Sequence, residues 1–308
     1  MRYQAGKWPQ FIKWVNSLLD LRIVPRTRII LDRLYFYTVP PIKYHFSYGV
    51  LPKKKCIYTY MEVHFGDNLI HIQYLRLMAL ANQSITFNHF SNRAYLDVLR
   101  SYVADVPNVN VYDYSSRPIF AINAWKNANQ FWEKHPEKLD FVSFYTNFFE
   151  NFSKKIGLNN RIRTADDLIF QAEAITSARG IAFKNYDWLI VNSVPLSSQS
   201  SISVEEMDSI CVDISKKHSV ITTKKVGDLP CTLDFDMSLS EIALQSMSCK
   251  RHLMISTGPS WMVLNNITLE QSQGIYLLID KERIAIHPKL KQFSTARDFR
   301  SSILAYKS

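Results

Sequence analysis

The amino-acid sequence predicts an α/β protein made of two domains that face each other across a cleft. β-rich and helical segments alternate twice, from residue 56 and again from residue 188, and the loops between them are short. Such alternation is typical of parallel sheets covered by helices. The length of 308 residues also suits two domains of about 150 residues each. We place them at 56–180 and 181–308, after a separate N-terminal segment, 1–55.

The first domain is predicted to alternate three strands with two helices. Leu69, Ile72 and Leu75 recur at the spacing of a buried helix stripe. Residues 119–176 are expected to be mainly helical, with their many aromatic side chains in the core. The expected elements are strands at 56–63, 84–87 and 109–112, with helices at 67–81 and 92–104.

The second domain repeats this pattern after a linker predicted near 177–186. Ser203 is followed three residues later by Glu206, which is the spacing of a capping box at a helix start. The expected strands are 188–191, 219–223, 252–256 and 273–279, and the expected helices are 204–217, 240–247, one from about 260, and 295–306.

Several classes of protein are excluded by missing motifs. The eight glycines include no G-x-G pair, and none precedes Lys-Ser or Lys-Thr, so dinucleotide fingerprints, kinase loops and P-loops are absent. The sequence also contains no G-x-S-x-G or H-E-x-x-H motif. Its four cysteines form no C-x-x-C pair, and no apolar run is long enough for a membrane span or signal peptide. We therefore expect a cytosolic protein with reduced thiols.

The net charge of +10 is concentrated in segment 1–55. This segment holds eleven Lys and Arg residues against two acidic ones, whereas the rest of the chain holds 26 against 25. Aromatic and aliphatic residues alternate with the basic ones between Trp8 and Leu19. Three interpretations stay open: a solvated basic face, contact with an anionic membrane surface, or contact with nucleic acid, which we favour least.

Two strand-to-helix turns are the candidate sites for chemistry, because open parallel sheets bind ligands beyond the carboxyl ends of their strands. The first turn runs from His64 to Asn68, and its Asp67 is either a helix N-cap or a general base. The second runs from Ser256 to Trp261 and suits an anion such as pyrophosphate.

A metal site is not expected. His64, Asp67 and His71 are close in sequence, but no fourth ligand is near them. Asp234 and Asp236 form one D-x-D pair without a strand leading into it. We therefore predict chemistry without a metal ion.

Short motifs in both turns resemble the heptosyltransferase family of lipopolysaccharide glycosyltransferases. The run from Phe65 to His71 resembles the family's N-terminal Gly-Asp turn. The stretches 238–244 and 249–260 resemble its C-terminal block, which ends in Thr257-Gly258-Pro259. The order and spacing agree over roughly 56–290, although Trp261 departs from the family's pattern.

The resemblance implies a GT-B fold, in which two Rossmann-like domains face a central cleft and the second binds a nucleotide sugar. It assigns Asp67 as the catalytic base, with Gly66, His64 and His71 on the acceptor side. It assigns donor binding to Ser256, Thr257, Gly258, Ser260, Glu241, Thr222, Thr223, Lys224, Asn192 and Ser193.

The function that follows is inverting, metal-independent sugar transfer, with a nucleoside-diphosphate sugar as substrate and no cofactor. The expected acceptor is a surface polysaccharide or a lipid-linked glycan. The alternative is a non-catalytic basic α/β module that binds nucleic acid or glycan through segment 1–55.

Overall fold

The structure is a computed structural model that describes residues 55–62, 64–118, 121–126, 141–164, 166–175, 183–193, 200–280 and 287–304. Segment 1–55, except for its last residue, lies outside the described residues, as does 177–182 of the predicted linker.

The first domain is built on a four-stranded parallel sheet in the order β3-β2-β1-β4. The predicted β-α-β-α-β alternation is confirmed, and the two-residue strand β4 is an addition too short to leave a sequence pattern. The strands are β1 (Lys55–Met61), β2 (Ile85–Ser91), β3 (Val109–Asp113) and β4 (Ile122–Asn123), and the helices are α1 (Phe65–Ala81), α2 (Leu96–Tyr102) and α3 (Phe141–Ile156).

The second domain has a five-stranded parallel sheet in the order β6-β5-β7-β8-β9. Its strands are β5 (Tyr186–Val191), β6 (Val220–Thr222), β7 (Cys249–Ile255), β8 (Gly274–Leu278) and β9 (Leu290–Phe293). Its helices are α4 (Val204–Ser215), α5 (Leu239–Met247), α6 (Gly258–Val263), α7 (Asn266–Gln271) and α8 (Ala296–Phe299), and a π-helical turn, Arg300–Leu304, follows α8. Strand β9 was not predicted, and the single terminal helix predicted at 295–306 is replaced by α8 and this turn.

Local hydrogen bonds start the helices of the second domain. The Ser203 hydroxyl accepts from the Glu206 N–H at 3.1 Å, and the Glu206 carboxylate accepts from the Ser203 N–H at 3.0 Å. This is the predicted capping box of α4. Ser238 and Glu241 form a second one at the start of α5.

The strand orders place both predicted turns where open parallel sheets bind ligands. In the first sheet the chain leaves β1 toward β2 and β3, and then returns to the other side of β1 as β4. In the second sheet the corresponding reversal lies between β5 and β7. The Asp67 turn follows β1 and the Thr257 turn follows β7, so each lies at a reversal point of its sheet.

One continuous apolar core joins the two domains. It includes Phe65 and Leu75 of the first domain together with Leu264 and Leu277 of the second. A second cluster, centred on Trp188, fills the other face of the second sheet. All four cysteines have free thiols, and no described helix is long and apolar enough to span a membrane.

Candidate functional site

The two predicted turns contact each other across the domain boundary. A Cβ atom added to Gly66 would lie 2.4 Å from Trp261 Cδ1 and 2.6 Å from its Nε1. A Cβ atom added to Gly258 would lie 2.9 Å from Cδ1 of Phe65. Glycine is therefore needed at both positions, because each one packs under an aromatic ring of the opposite turn. The structure brings the start of α1 and the start of α6 together.

Asp67 lies in the first turn of α1 and is half-buried. The hydroxyl of Tyr145, on α3, donates a hydrogen bond to Asp67 Oδ1 at 2.9 Å. Burial raises the pKa of Asp67, and the Tyr145 hydrogen bond and the nearby His64 partly oppose that rise. The N-cap alternative for Asp67 is wrong, since His64 is the N-cap residue and no side chain caps α1.

Tyr145 keeps its proton in this arrangement. Burial and the adjacent Asp67 carboxylate hold the pKa of its hydroxyl well above the usual value. Tyr145 therefore acts as a permanent donor that fixes the orientation of the Asp67 carboxyl group.

His64 holds the chain in an unusual conformation just before Asp67. Its backbone has φ 21° and ψ 118°, which is uncommon for a residue with a side chain. Its carbonyl accepts from the backbone N–H of Asn68 at 3.2 Å and from the Asn68 side chain at 3.1 Å. The imidazole is exposed, with its ring centroid 5.4 Å from that of Trp125. The His64 side chain is thus accessible from solution.

His71 does not occupy the accessible position that an acceptor-binding residue needs. Its side chain is 1% exposed and lies among His89, Phe149 and Phe152. Neither ring nitrogen has a hydrogen-bond partner among the described residues. Burial lowers the pKa of His71 well below its usual value, so the ring is neutral. The physical reason is that α1 is enclosed on nearly all sides, with twelve of its seventeen residues buried.

The Thr257 turn is held by hydroxyl groups. The Thr257 N–H donates to Ser260 Oγ at 3.4 Å, the two hydroxyls lie 3.1 Å apart, and the Ser260 hydroxyl donates to the Ile255 carbonyl. Ser256 and Ser260 are both buried, so they support the turn from within. Helix α6 has only six residues and carries a proline in its first turn. Thr257 Oγ1 and the first N–H of the helix, from Gly258, are therefore its candidate anion donors.

The other predicted donor-site residues after β5 and β6 are bonded mainly to each other. The Asn192 side chain accepts from the Thr223 N–H at 3.1 Å and the Lys224 N–H at 2.8 Å, and it donates to the Lys224 carbonyl at 3.0 Å. Ser193 Oγ lies 3.3 Å from Thr223 Oγ1. Thr222 is fully buried. These hydrogen bonds hold together the residues that follow β5 and β6 at the carboxyl end of the sheet.

Lys224 lies at the same end of the sheet, just after β6. It is half-buried, and its ammonium group helps to lower the pKa of Glu205 in the first turn of α4. Of the residues predicted after β5 and β6, Lys224 is the one that brings a positive charge to this end.

Glu241 has a structural role in the capping box of α5. Its Oε2 accepts from the Ser238 N–H at 2.7 Å and from the Ser238 hydroxyl at 2.8 Å, and the side chain is 3% exposed. The assignment of Glu241 to donor binding does not fit this burial.

No group of three or more His, Cys, Asp or Glu side chains among the described residues is arranged to hold a metal ion. The Asp234 carboxylate of the D-x-D pair accepts from Lys225 Nζ at 2.8 Å and from the Cys231 N–H at 3.0 Å. It therefore stabilises its own loop.

Two contacts of the site do not follow from the sequence: the hydrogen bond from Tyr145 to Asp67 and the packing of Trp261 on Gly66. Tyr145 belongs to α3, which is rich in aromatic residues. The sequence does not distinguish this tyrosine from the aromatic residues of that helix that fill the core. Trp261 departs from the family's motif, and its place three residues after Gly258 puts its ring against Gly66.

Comparisons with known proteins give a fold. The structure is similar to that of E. coli heptosyltransferase WaaC with ADP-2-deoxy-2-fluoro heptose, with a TM-score of 0.52 and 11% identity over 81% of this chain and 99% of that chain. For E. coli WaaC with ADP the TM-score is 0.50 and the identity 12%, over 81% of this chain and 97% of that one. No protein-family profile and no curated protein sequence matches the chain. The predicted GT-B fold, with two Rossmann-like domains, is confirmed.

Proposed function

We propose that this protein is a glycosyltransferase that moves a sugar from a nucleoside-diphosphate donor to a hydroxyl group of a glycan or glycolipid. One observation carries the proposal. A half-buried carboxyl group with a raised pKa, Asp67, lies in the same turn as Phe65 and Gly66. Phe65 packs on Gly258 and Gly66 packs on Trp261, so this turn contacts the start of α6 in the other domain. This contact supports a site in which the proposed base and the proposed diphosphate turn act at one junction.

Asp67 is the proposed general base. Its raised pKa makes the carboxylate a stronger proton acceptor than an ordinary aspartate. The Tyr145 hydrogen bond directs one carboxylate oxygen and leaves the other available for the acceptor hydroxyl. As that proton moves to Asp67, the acceptor oxygen attacks the anomeric carbon from the side opposite the leaving diphosphate. The configuration is therefore inverted.

The Thr257 turn is the proposed diphosphate site. The Gly258 N–H and the Thr257 hydroxyl can donate to phosphate oxygens. Lys224 supplies a positive charge from the end of β6, which is separated from β7 by β5. These groups would stabilise the departing nucleoside diphosphate without a metal ion. WaaC was solved with ADP and with an ADP-heptose analogue, so adenine nucleotides are the first donors to test.

The expected place of action is the cytoplasmic face of a membrane that carries the acceptor. The basic and aromatic composition of segment 1–55 supports this part of the proposal, since such segments bind anionic lipid surfaces.

The experiment measures ADP binding and sugar transfer from ADP-sugars for the wild type, Asp67→Ala and Asp97→Ala. Asp97 is an exposed acidic residue in the first turn of the neighbouring helix α2 and serves as the matched control. We expect Asp67→Ala to lower kcat by about 10² or more with ADP affinity unchanged, and Asp97→Ala to behave like the wild type. Transfer that survives in Asp67→Ala would refute the assignment of the base. If no nucleoside diphosphate binds, the non-catalytic alternative stands instead.

A further inference from the structure

A cavity lies in the second domain, away from both turns. Its volume is about 780 Å³. Its walls come from the end of α4, the first residues of strands β5, β7 and β8, and the π-helical turn at Arg300–Leu304. These are the amino ends of the strands, whereas the Asp67 and Thr257 turns lie at carboxyl ends. We call it the basic cavity, after Lys217, Arg251, Arg297 and Arg300 in its lining.

The basic cavity has an excess of positive charge. Its one acidic side chain, Asp213, accepts from Arg300 Nε at 3.2 Å and from Lys216 Nζ at 2.8 Å outside the lining. These partners lower the pKa of Asp213, so it stays ionised and balances Arg300. Lys217, Arg251 and Arg297 make no ion pair with any acidic group in the described part of the chain.

The aromatic wall positions one of these charges. The Arg251 guanidinium lies 5.7 Å from the ring centroid of Trp188. Trp188 is 2% exposed and fixed by stacking on Tyr276, whose ring centroid is 5.6 Å away. A guanidinium held by its face keeps its N–H groups directed outward along its edge. Arg251 is therefore oriented by an aromatic ring instead of an acid, and its hydrogen-bond donors remain available.

A close backbone approach gives this wall its shape. A Cβ atom on Gly274 would lie 2.3 Å from the Tyr276 hydroxyl oxygen, so the glycine makes room for the Tyr276 side chain beside the cavity. The same tyrosine lines the cavity and supports Trp188.

We propose that the basic cavity binds a phosphoryl group carried by a small molecule. Its volume is within the range of small-molecule sites, about 300–1,000 Å³. Arginine and lysine without acidic partners suit the two negative charges and the acceptor oxygens of a phosphate monoester. The site shares no residue with the proposed donor or acceptor site, so it does not depend on glycosyl transfer.

The test is isothermal titration calorimetry of the full chain with inorganic phosphate and with glucose 6-phosphate. The double variant Lys217→Gln/Arg251→Gln removes two of the unpaired charges. Lys184→Gln/Lys291→Gln makes the same charge change at exposed positions outside the cavity. We expect at least about tenfold weaker binding in the first variant and an unchanged Kd in the second. Equal binding of the two probes indicates that the phosphoryl group alone is recognised, and tighter binding of glucose 6-phosphate indicates that the sugar also fits.

A single exposed variant, Arg297→Gln, guards against a folding defect in the double variant. We expect it to weaken binding about threefold or more while its Tm stays at the wild-type value. The proposal is overturned if neither probe binds at about 10 mM, or if both double variants bind alike.

Discussion

The contact between Gly66 and Trp261 provides the sharpest test of how the two domains meet. In Gly66→Ala the new methyl group would lie 2.4 Å from Trp261 Cδ1 and 2.6 Å from Nε1, far inside van der Waals contact. Trp261 belongs to the short helix α6, whose first residues form the proposed diphosphate turn. The ring must therefore move, and the junction between the domains must move with it.

Two opposing effects set the magnitude. Overpacking a tight contact costs about 1–3 kcal/mol. Alanine in a helix is favoured over glycine by about 1 kcal/mol, and Gly66 lies within α1 without a positive φ. In the wild-type background the clash outweighs the helix preference of alanine, so we expect Gly66→Ala to destabilise the protein by up to about 2 kcal/mol. In a Trp261→Ala background the clash is gone, and the same change should stabilise the protein by about 0.5–1 kcal/mol.

The assay is urea denaturation of the wild type, both single variants and the double variant, analysed as a double-mutant cycle. The expected coupling is a change of sign in the effect of Gly66→Ala. Gly66→Ala should also slow sugar transfer, because it displaces the turn that carries Gly258. If the free-energy change is the same in both backgrounds, the packing of Gly66 under Trp261 is refuted.

The other predictions concern Asp67 and the N-terminal segment. Tyr145→Phe removes a hydrogen bond that lowers the pKa of Asp67, so the acidic limb of the kcat/KM profile should move to higher pH; an unmoved limb would contradict the base assignment. The pKa of Asp67 is higher in the folded than in the unfolded protein, so ionisation of its carboxyl group destabilises the fold. This destabilisation is absent below the unfolded pKa of 3.8 and is complete above the folded pKa. Asp67→Asn should therefore raise Tm at pH 7 and leave it unchanged at pH 3, whereas a lower Tm at pH 7 would show that the carboxylate stabilises the fold. Replacing the arginines of segment 1–55 by glutamine should weaken binding to anionic vesicles about tenfold or more and leave transfer to soluble acceptors intact; unchanged vesicle binding would remove the membrane proposal.

Features that depend on neighbouring residues could be predicted from the sequence. The capping box of Ser203 and Glu206 involves groups three residues apart, and both hydrogen bonds are present. The alternation of strands and helices likewise follows from local hydrophobic spacing, and it predicted the two parallel sheets. The short strand β4 was missed because two residues hold too little pattern.

Features that depend on distant residues could not be predicted in this way. The spacing within α1 does not show that the helix is enclosed on most sides, so His71 was placed at an accessible site when it lies in the core. Glu241 and Asn192 have the side chains of a binding site, yet their hydrogen bonds are used to hold local structure. A sequence shows which groups are able to bind, but it does not show which of them are already bonded.

The sequence by itself determined the fold class, the positions of the two turns and the place of Asp67 in the first of them. These follow from short-range spacing and from the order of strands and helices. The tertiary structure decided what surrounds them. Tyr145 reaches Asp67 across 78 residues of chain, and Trp261 reaches Gly66 across 195, through side-chain packing between elements far apart in sequence. Burial and hydrogen bonding set the pKa of the Asp67 carboxyl group, and both arise only when the chain is folded.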